Sequence, residues 1–184
     1  MWSWFVIRDR NQPIITMKKI LFSVLLLVLA AGFVLAQEKP KSPPAKAEGS
    51  IDGVKIMIDY SAPSARGRKM LGGNEPYGTV WRTGANKATV FEIDKPIQVE
   101  GQALAAGKYE LFTIPGETEW TIIFQKHAGQ WGAFKYDEAN DVLRVKVKAG
   151  KTHAFVETFA INVGKGTVTL QWENTLVAFS VKKG

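Results

Sequence analysis

The chain has 184 residues, 46% apolar and 22% charged, a globular composition that excludes a wholly disordered polymer. It has no cysteine, which excludes disulfides, thiolate metal sites, a cysteine nucleophile and a lipidated N-terminal cysteine. Its 24 basic and 17 acidic residues give a formal charge of +7, and its two histidines, His127 and His153, are too few for a three-histidine zinc site.

Met17-Lys18-Lys19 opens a basic segment that runs into an apolar stretch from Ile20 to Ala36, closed by Val34-Leu35-Ala36. Basic, apolar and small-residue regions in that order describe a secretory signal peptide over 17–36, cut after Ala36. The stretch is at the short limit for spanning ~30 Å of hydrocarbon. Any membrane association is therefore expected only through this segment, if it stays uncleaved. Residues 1–16 stand upstream of a complete leader and read as an over-extended start, with Met17 the initiator. Removing 1–36 takes away four basic residues and one acid, leaving +4. That balance, in a secreted or periplasmic protein, argues against nucleic acid as a partner.

Residues 37–48 hold three prolines and no large apolar side chain, and read as a flexible linker. Residues 49–184 form one domain's length without a second linker or a repeat. Its periodicity is two. Val54, Ile56 and Ile58 alternate with Lys55, Met57 and Asp59. Trp120, Ile122 and Phe124 alternate with Thr121, Ile123 and Gln125. The same holds for Leu143–Val147, Val168–Trp172 and Val177–Val181. Each run is expected to have one buried and one wet face. Turns are expected at Asp52-Gly53, Gly72-Gly73, Ala106-Gly107, Pro115-Gly116, Ala149-Gly150, Gly164-Lys165-Gly166 and Glu173-Asn174. About nine or ten short strands without a long amphipathic helix predict an all-β, single-domain antiparallel β-sandwich or flattened barrel. Trp81, Trp120 and Trp172 are expected in its core. Trp131, in Gly129-Gln130-Trp131-Gly132, has a turn-like setting where an aromatic is more often exposed.

The stretch from Tyr60 to Asn86 is long, irregular and rich in cations. Together with Gly107–Pro115, Gln130-Trp131-Gly132 and Asp141–Val145 it resembles the secreted bacterial family known as domain of unknown function 2911, over about residues 45–182. The resemblance implies no activity, because the family has none established.

The residues themselves suggest a ligand site. Arg66, Arg68 and Lys69 place three cations within four residues, able to clamp an anion or to serve as a solvated loop. Arg82 is expected to pair with Glu157, which shares parity with Phe155, Phe159 and Ile161 and so should point inward; Arg144 is the other candidate partner. Asp137, Glu138 and Asp141 form an acidic knot without a calcium-loop pattern, read as a polar loop. Neither histidine has a serine in a nucleophile-elbow setting. Trp131, Tyr77, Phe134 and Tyr136, with Gln130 and Asn86, make either a sugar platform or a minor core at the edge of the sandwich.

The expectation drawn from these residues is a non-enzymatic binding module for a small polar or anionic, sugar-like ligand or an envelope protein. Arg66, Arg68, Lys69, Arg82, Asn86, Trp131 and Tyr136 are its candidate ligand-binding residues, with no metal and no cofactor. Whether any catalysis occurs stays open. The alternatives are an envelope carbohydrate hydrolase using paired carboxylates, and a purely structural or interaction module.

Overall fold

A computed structural model describes residues 40–184 except His127. The leader and start-site expectations lie outside the described residues, as does His127.

The described chain is all-β. Its nine strands are β1 (Pro44–Ile51), β2 (Val54–Ser61), β3 (Thr89–Ile93), β4 (Ile97–Val99), β5 (Gln102–Leu104), β6 (Gly107–Ile114), β7 (Glu119–Lys126), β8 (Asp141–Val163) and β9 (Thr167–Lys183). A single 3-10 turn, Glu138–Asn140, precedes β8. The strands form one antiparallel sheet in the order β1-β2-β3-β6-β7-β8-β9-β4-β5.

The two longest strands let this sheet face itself. The first part of β8, through Lys148, pairs with β7, and the rest, Ala149–Val163, pairs with β9. The end of β9 then pairs with β4. Ala149-Gly150 and Glu173-Asn174 are therefore not hairpin turns, because both lie within continuous strands. Glu173 takes a φ of +52° and the β8–β9 register shifts beside it. A chain can thus redirect a strand without ending it. Pro44–Glu48, read from sequence as the end of the linker, are paired with β2, so the ordered domain begins before Gly49. Proline is tolerated there because it is the first residue of an edge strand.

The sheet is not closed into a barrel. Edge strand β1 packs against β8 without joining its ladder: a Cβ at Gly49 would lie 2.8 Å from Val163 Cγ1. The β1–β2 hairpin turns on Asp52 and Gly53, at φ +52° and +74°. Two successive positive φ values match a type I′ turn, which favours an Asp-Gly pair.

The inner face carries the period-two set. Val54, Ile56, Ile58, Phe91, Leu111, Ile122, Phe124, Leu170, Val177 and Phe179 are all buried in one core. Phe91, Phe124 and Phe179 meet across it at 5.0–6.5 Å. Trp81 stacks on Trp172 at 5.5 Å and meets Trp120 edge-on at 6.2 Å. All three indoles are about 2% exposed or less, in the core as expected. Removing a side chain of this kind costs about 3–5 kcal/mol.

The outer face departs from the expectation of a wet side. Phe112 and Ile123, which point outward, are fully buried. With Ala88 they form a second small core, covered by Val80, Ile114, Ala133 and Tyr136. The segment between β7 and β8 lies over the outer face there and shields it from water.

Candidate functional site

One cross-strand row on the outer face organises the region. Asp59 on β2 faces Val90 on β3, Val90 faces Glu110 on β6, Glu110 faces Gln125 on β7, and Gln125 faces Asp141 on β8. Residues opposed across strands are side-chain neighbours. Here the middle of the row is buried: Glu110 is 1% exposed and Gln125 2%. A buried carboxylate needs hydrogen-bond donors. Gln130, from the covering segment, supplies two, its backbone N–H at 2.9 Å and its Nε2 at 2.6 Å.

The rest of the chain is directional. Gln130 Nε2 also donates to Gln125 Oε1 at 3.2 Å, and Gln125 Nε2 donates to Asp141 Oδ1 at 3.0 Å and to the Asp137 carbonyl at 2.8 Å. Tyr136 donates its hydroxyl to Asp141 Oδ2 at 2.6 Å. Burial first, and then that bond, hold the Tyr136 phenol well above its ordinary range. Arg144 pairs with Glu138 and, at 3.5 Å, with Asp141. Asp137 accepts from Ala139 N at the head of the 3-10 turn. Every member of the acidic knot is thus engaged within the protein.

This network fixes the backbone on one side of Trp131. The other side is held by the loop before β3. Ala88 N donates to the Gln130 carbonyl at 3.1 Å, Gly132 N donates to the Asn86 carbonyl at 2.9 Å, and Lys87 and Trp131 form an isolated bridge. The Tyr60–Asn86 loop and the segment after β7 therefore converge. Held on both sides, Trp131 is nonetheless 61% exposed, and Phe134 close by is 88% exposed. Tyr136, by contrast, packs edge-on against Phe112 at 5.2 Å and belongs to the minor core.

Trp131 is a shared wall between two grooves. One, of about 630 Å3, is lined by Gln125, Lys126, Gln130, Phe134, Lys135 and Asn140 among others. The second, of about 470 Å3, is lined by Asp59, Ser61, Asn86, Lys87 and Val90 among others. Asn86 adopts φ +61°, and its Nδ2 donates to Ser61 Oγ at 3.2 Å. Gln130 is 9% exposed, and its Oε1 is buried without a hydrogen-bond partner.

The structure brings Asn86 and Trp131 to one groove. It turns the arginine cluster elsewhere. Arg66 donates Nη2 to the Lys41 carbonyl at 2.9 Å. Arg68 donates Nε to the Ala65 carbonyl and Nη2 to the Ser64 carbonyl, both at 3.0 Å. Those guanidinium groups hold backbone together. Lys69 is exposed, and its carbonyl accepts from Asn74 N. The inward pairing expected of Glu157 does not occur. Glu157 is exposed and accepts from Arg66 N at 2.6 Å, while Phe155 is 54% exposed. Between the pairs Lys151–Thr175 and Val156–Glu173, β8 advances five residues and β9 two. The extra residues cancel parity on that stretch. Arg82 instead lies by Glu75, whose carboxyl is raised by burial, with the Arg82 charge opposing. Arg82 Nε is buried without a hydrogen-bond partner.

Sequence reasoning passed over Glu110, Lys87, Lys126, Lys135 and Asn140. A usable signal was present for Glu110: its outward-facing neighbours Phe112 and Ile114, beside Ile123, are apolar, which marks a covered outer face. Among the described residues no group of three or more acidic or histidine side chains is placed to hold a metal ion.

A family model described as protein of unknown function (DUF2911) matches residues 42–181. Neither the curated proteins nor the solved structures contain a match.

Proposed function

The chain belongs to the DUF2911 family of proteins of unknown function, and from that premise we propose that it is an exported, non-enzymatic binding module whose ligand is small, polar and sugar-like. The observation that carries this reading is Trp131. Its backbone is clamped from both sides, yet its indole is 61% exposed between two grooves. A fold that meant only to cover a sheet edge would bury that ring, as it buries Phe112 and Ile123. Aromatic faces bind the C–H surfaces of pyranose rings, and exposed amides such as Asn86 and Asn140 supply directional partners for hydroxyls. Export rests on the secretory leader that the sequence predicts over 17–36. The hydrolytic alternative draws less support, since Asp59, the carboxylate beside the second groove, is paired with Lys46 at 3.6 Å.

The test is a thermal-shift screen of the purified protein and of Trp131→Ala against sugars, organic acids and nucleotides. A ligand at 100 times its Kd adds about 2.7 kcal/mol, which is roughly 5–10 °C for a domain of this size. A sugar-class compound is expected to raise the wild-type Tm and to leave the variant unmoved. The variant's own melting point stays within about 2 °C of wild type, because the lost ring is mostly in water. A screen without a sugar hit, or equal shifts in both proteins, would overturn the proposal.

A further inference from the structure

The larger groove beside Trp131 is charged in one sense, and in the second the one acid among its described lining residues, Asp59, is paired with Lys46 at 3.6 Å. Lys126 and Lys135 line the larger groove, both exposed, and no aspartate or glutamate is among the described residues lining it. Lys87 stands on the other flank of the indole, also exposed. Three lysines elsewhere are paired, Lys46 with Asp59, Lys108 with Glu92 at 3.1 Å and Lys146 with Glu119 at 3.0 Å, while others among the described residues, such as Lys55, Lys148 and Lys182, are not; what sets Lys126, Lys135 and Lys87 apart is their place beside Trp131. Among the described residues, the three lysines beside Trp131 have no carboxylate partner. The acids near the larger groove are already engaged, Glu110 with Gln130 and Asp141 with Tyr136 and Gln125.

A positive rim left unneutralised around an exposed aromatic is complementary to a flat, apolar-faced anion. Two grooves meeting at one indole follow an extended chain better than a single ring. The exposed amides of Asn140 in the larger groove and Asn86 in the second offer partners for hydroxyls. Phe134 beside Trp131 is 88% exposed and would also meet a lipid surface, so vesicles form one arm of the test.

Resting on the binding reading above, we propose that the Trp131 grooves bind an acidic oligosaccharide, a chain of pyranose rings carrying carboxylates. The ring faces lie on the indole, and the carboxylates meet Lys126, Lys135 and Lys87. No bond is made or broken.

The experiment titrates hexagalacturonate and its fully methyl-esterified form, the same rings without charge, into the purified wild type, Trp131→Ala and Lys126→Gln/Lys135→Gln. Wild type is expected to bind the acid with an affinity that falls as salt is raised, and the ester roughly 5- to 20-fold more weakly. The double lysine variant binds acid no better than ester and binds ester as wild type does. Trp131→Ala loses both. Equal wild-type affinity for acid and ester, unaffected by the lysine changes, overturns the acidic specificity and leaves the sugar reading standing. Binding of neither, with a gluco-oligosaccharide bound through Trp131, does the same. Binding of no glycan at all, with Trp131-dependent binding to vesicles of equal phosphatidylglycerol and phosphatidylcholine, overturns both.

Discussion

Replacing Glu173 tests how the long loop is held over the core. Its two carboxylate oxygens accept from Met70 N at 2.9 Å and from Leu71 N at 2.8 Å, about a hundred residues away in sequence. Met70 and Leu71 are each 4% exposed, so their N–H groups have little access to water if the carboxylate is lost. Hydrogen bonds to a charged group are worth about 1.5–3 kcal/mol each. Glu173→Ala is therefore expected to cost about 3–5 kcal/mol. Glu173→Gln keeps one acceptor and turns an amide N–H2 toward the other donor, so it costs roughly half as much. Both variants retain a side chain at the same φ of +52°, which cancels backbone strain from the comparison. At roughly 2–4 °C per kcal/mol for a domain of this size, the alanine variant melts about 6–20 °C below wild type, with glutamine between. Urea unfolding gives the free energies, and amide exchange locates the effect: Met70 and Leu71 should exchange fast while β6 and β7 stay protected. An alanine variant within about 1 kcal/mol of wild type, with slow exchange at both amides, refutes the clamp.

Glu75→Gln should flatten the acid side of the stability profile. Burial raises the Glu75 carboxyl above 4.5, so the folded chain holds that proton more tightly and wild-type stability falls as pH rises from 4.5 through the raised value. Thermal melts should find the variant at least as stable as wild type near about pH 7, and a parallel pH profile would contradict the burial effect. Gly73→Ala should cost about 2–3 kcal/mol, because its Cβ would sit 2.3 Å from the Lys69 carbonyl oxygen. Gly78→Ala has open space and only a φ of +76° against it, and should cost about 1 kcal/mol; calorimetry that ranks the two the other way would refute the steric account. Tyr136→Phe should remove a late phenol ionisation seen at ultraviolet wavelengths and cost about 1–2 kcal/mol through the lost bond to Asp141. An unchanged alkaline titration would mean that Tyr136 is not held by that acid.

Local alternation was enough to read the all-β class and the inner face. Strand side chains alternate by geometry, so Ile56, Ile122, Phe124 and Trp172 declared their burial without knowledge of their partners. The Asp52-Gly53 turn was legible for the same reason, since two neighbouring residues meet its backbone requirement. What the alternation could not contain was anything decided across long separations. Ala149-Gly150 and Glu173-Asn174 look like turns, and whether such a pair ends a strand or bends it depends on the strand beside it. The arginine cluster reads as a free cationic patch until Lys41, Ser64 and Ala65 bring carbonyls to it. Glu157 follows an inward parity that bulges in β8 then cancel. The convergence at Trp131 belongs wholly to the tertiary structure. It exists because a buried glutamate on β6 needs donors, a segment after β7 supplies them, and that segment, held by the loop before β3, is left with an indole facing water.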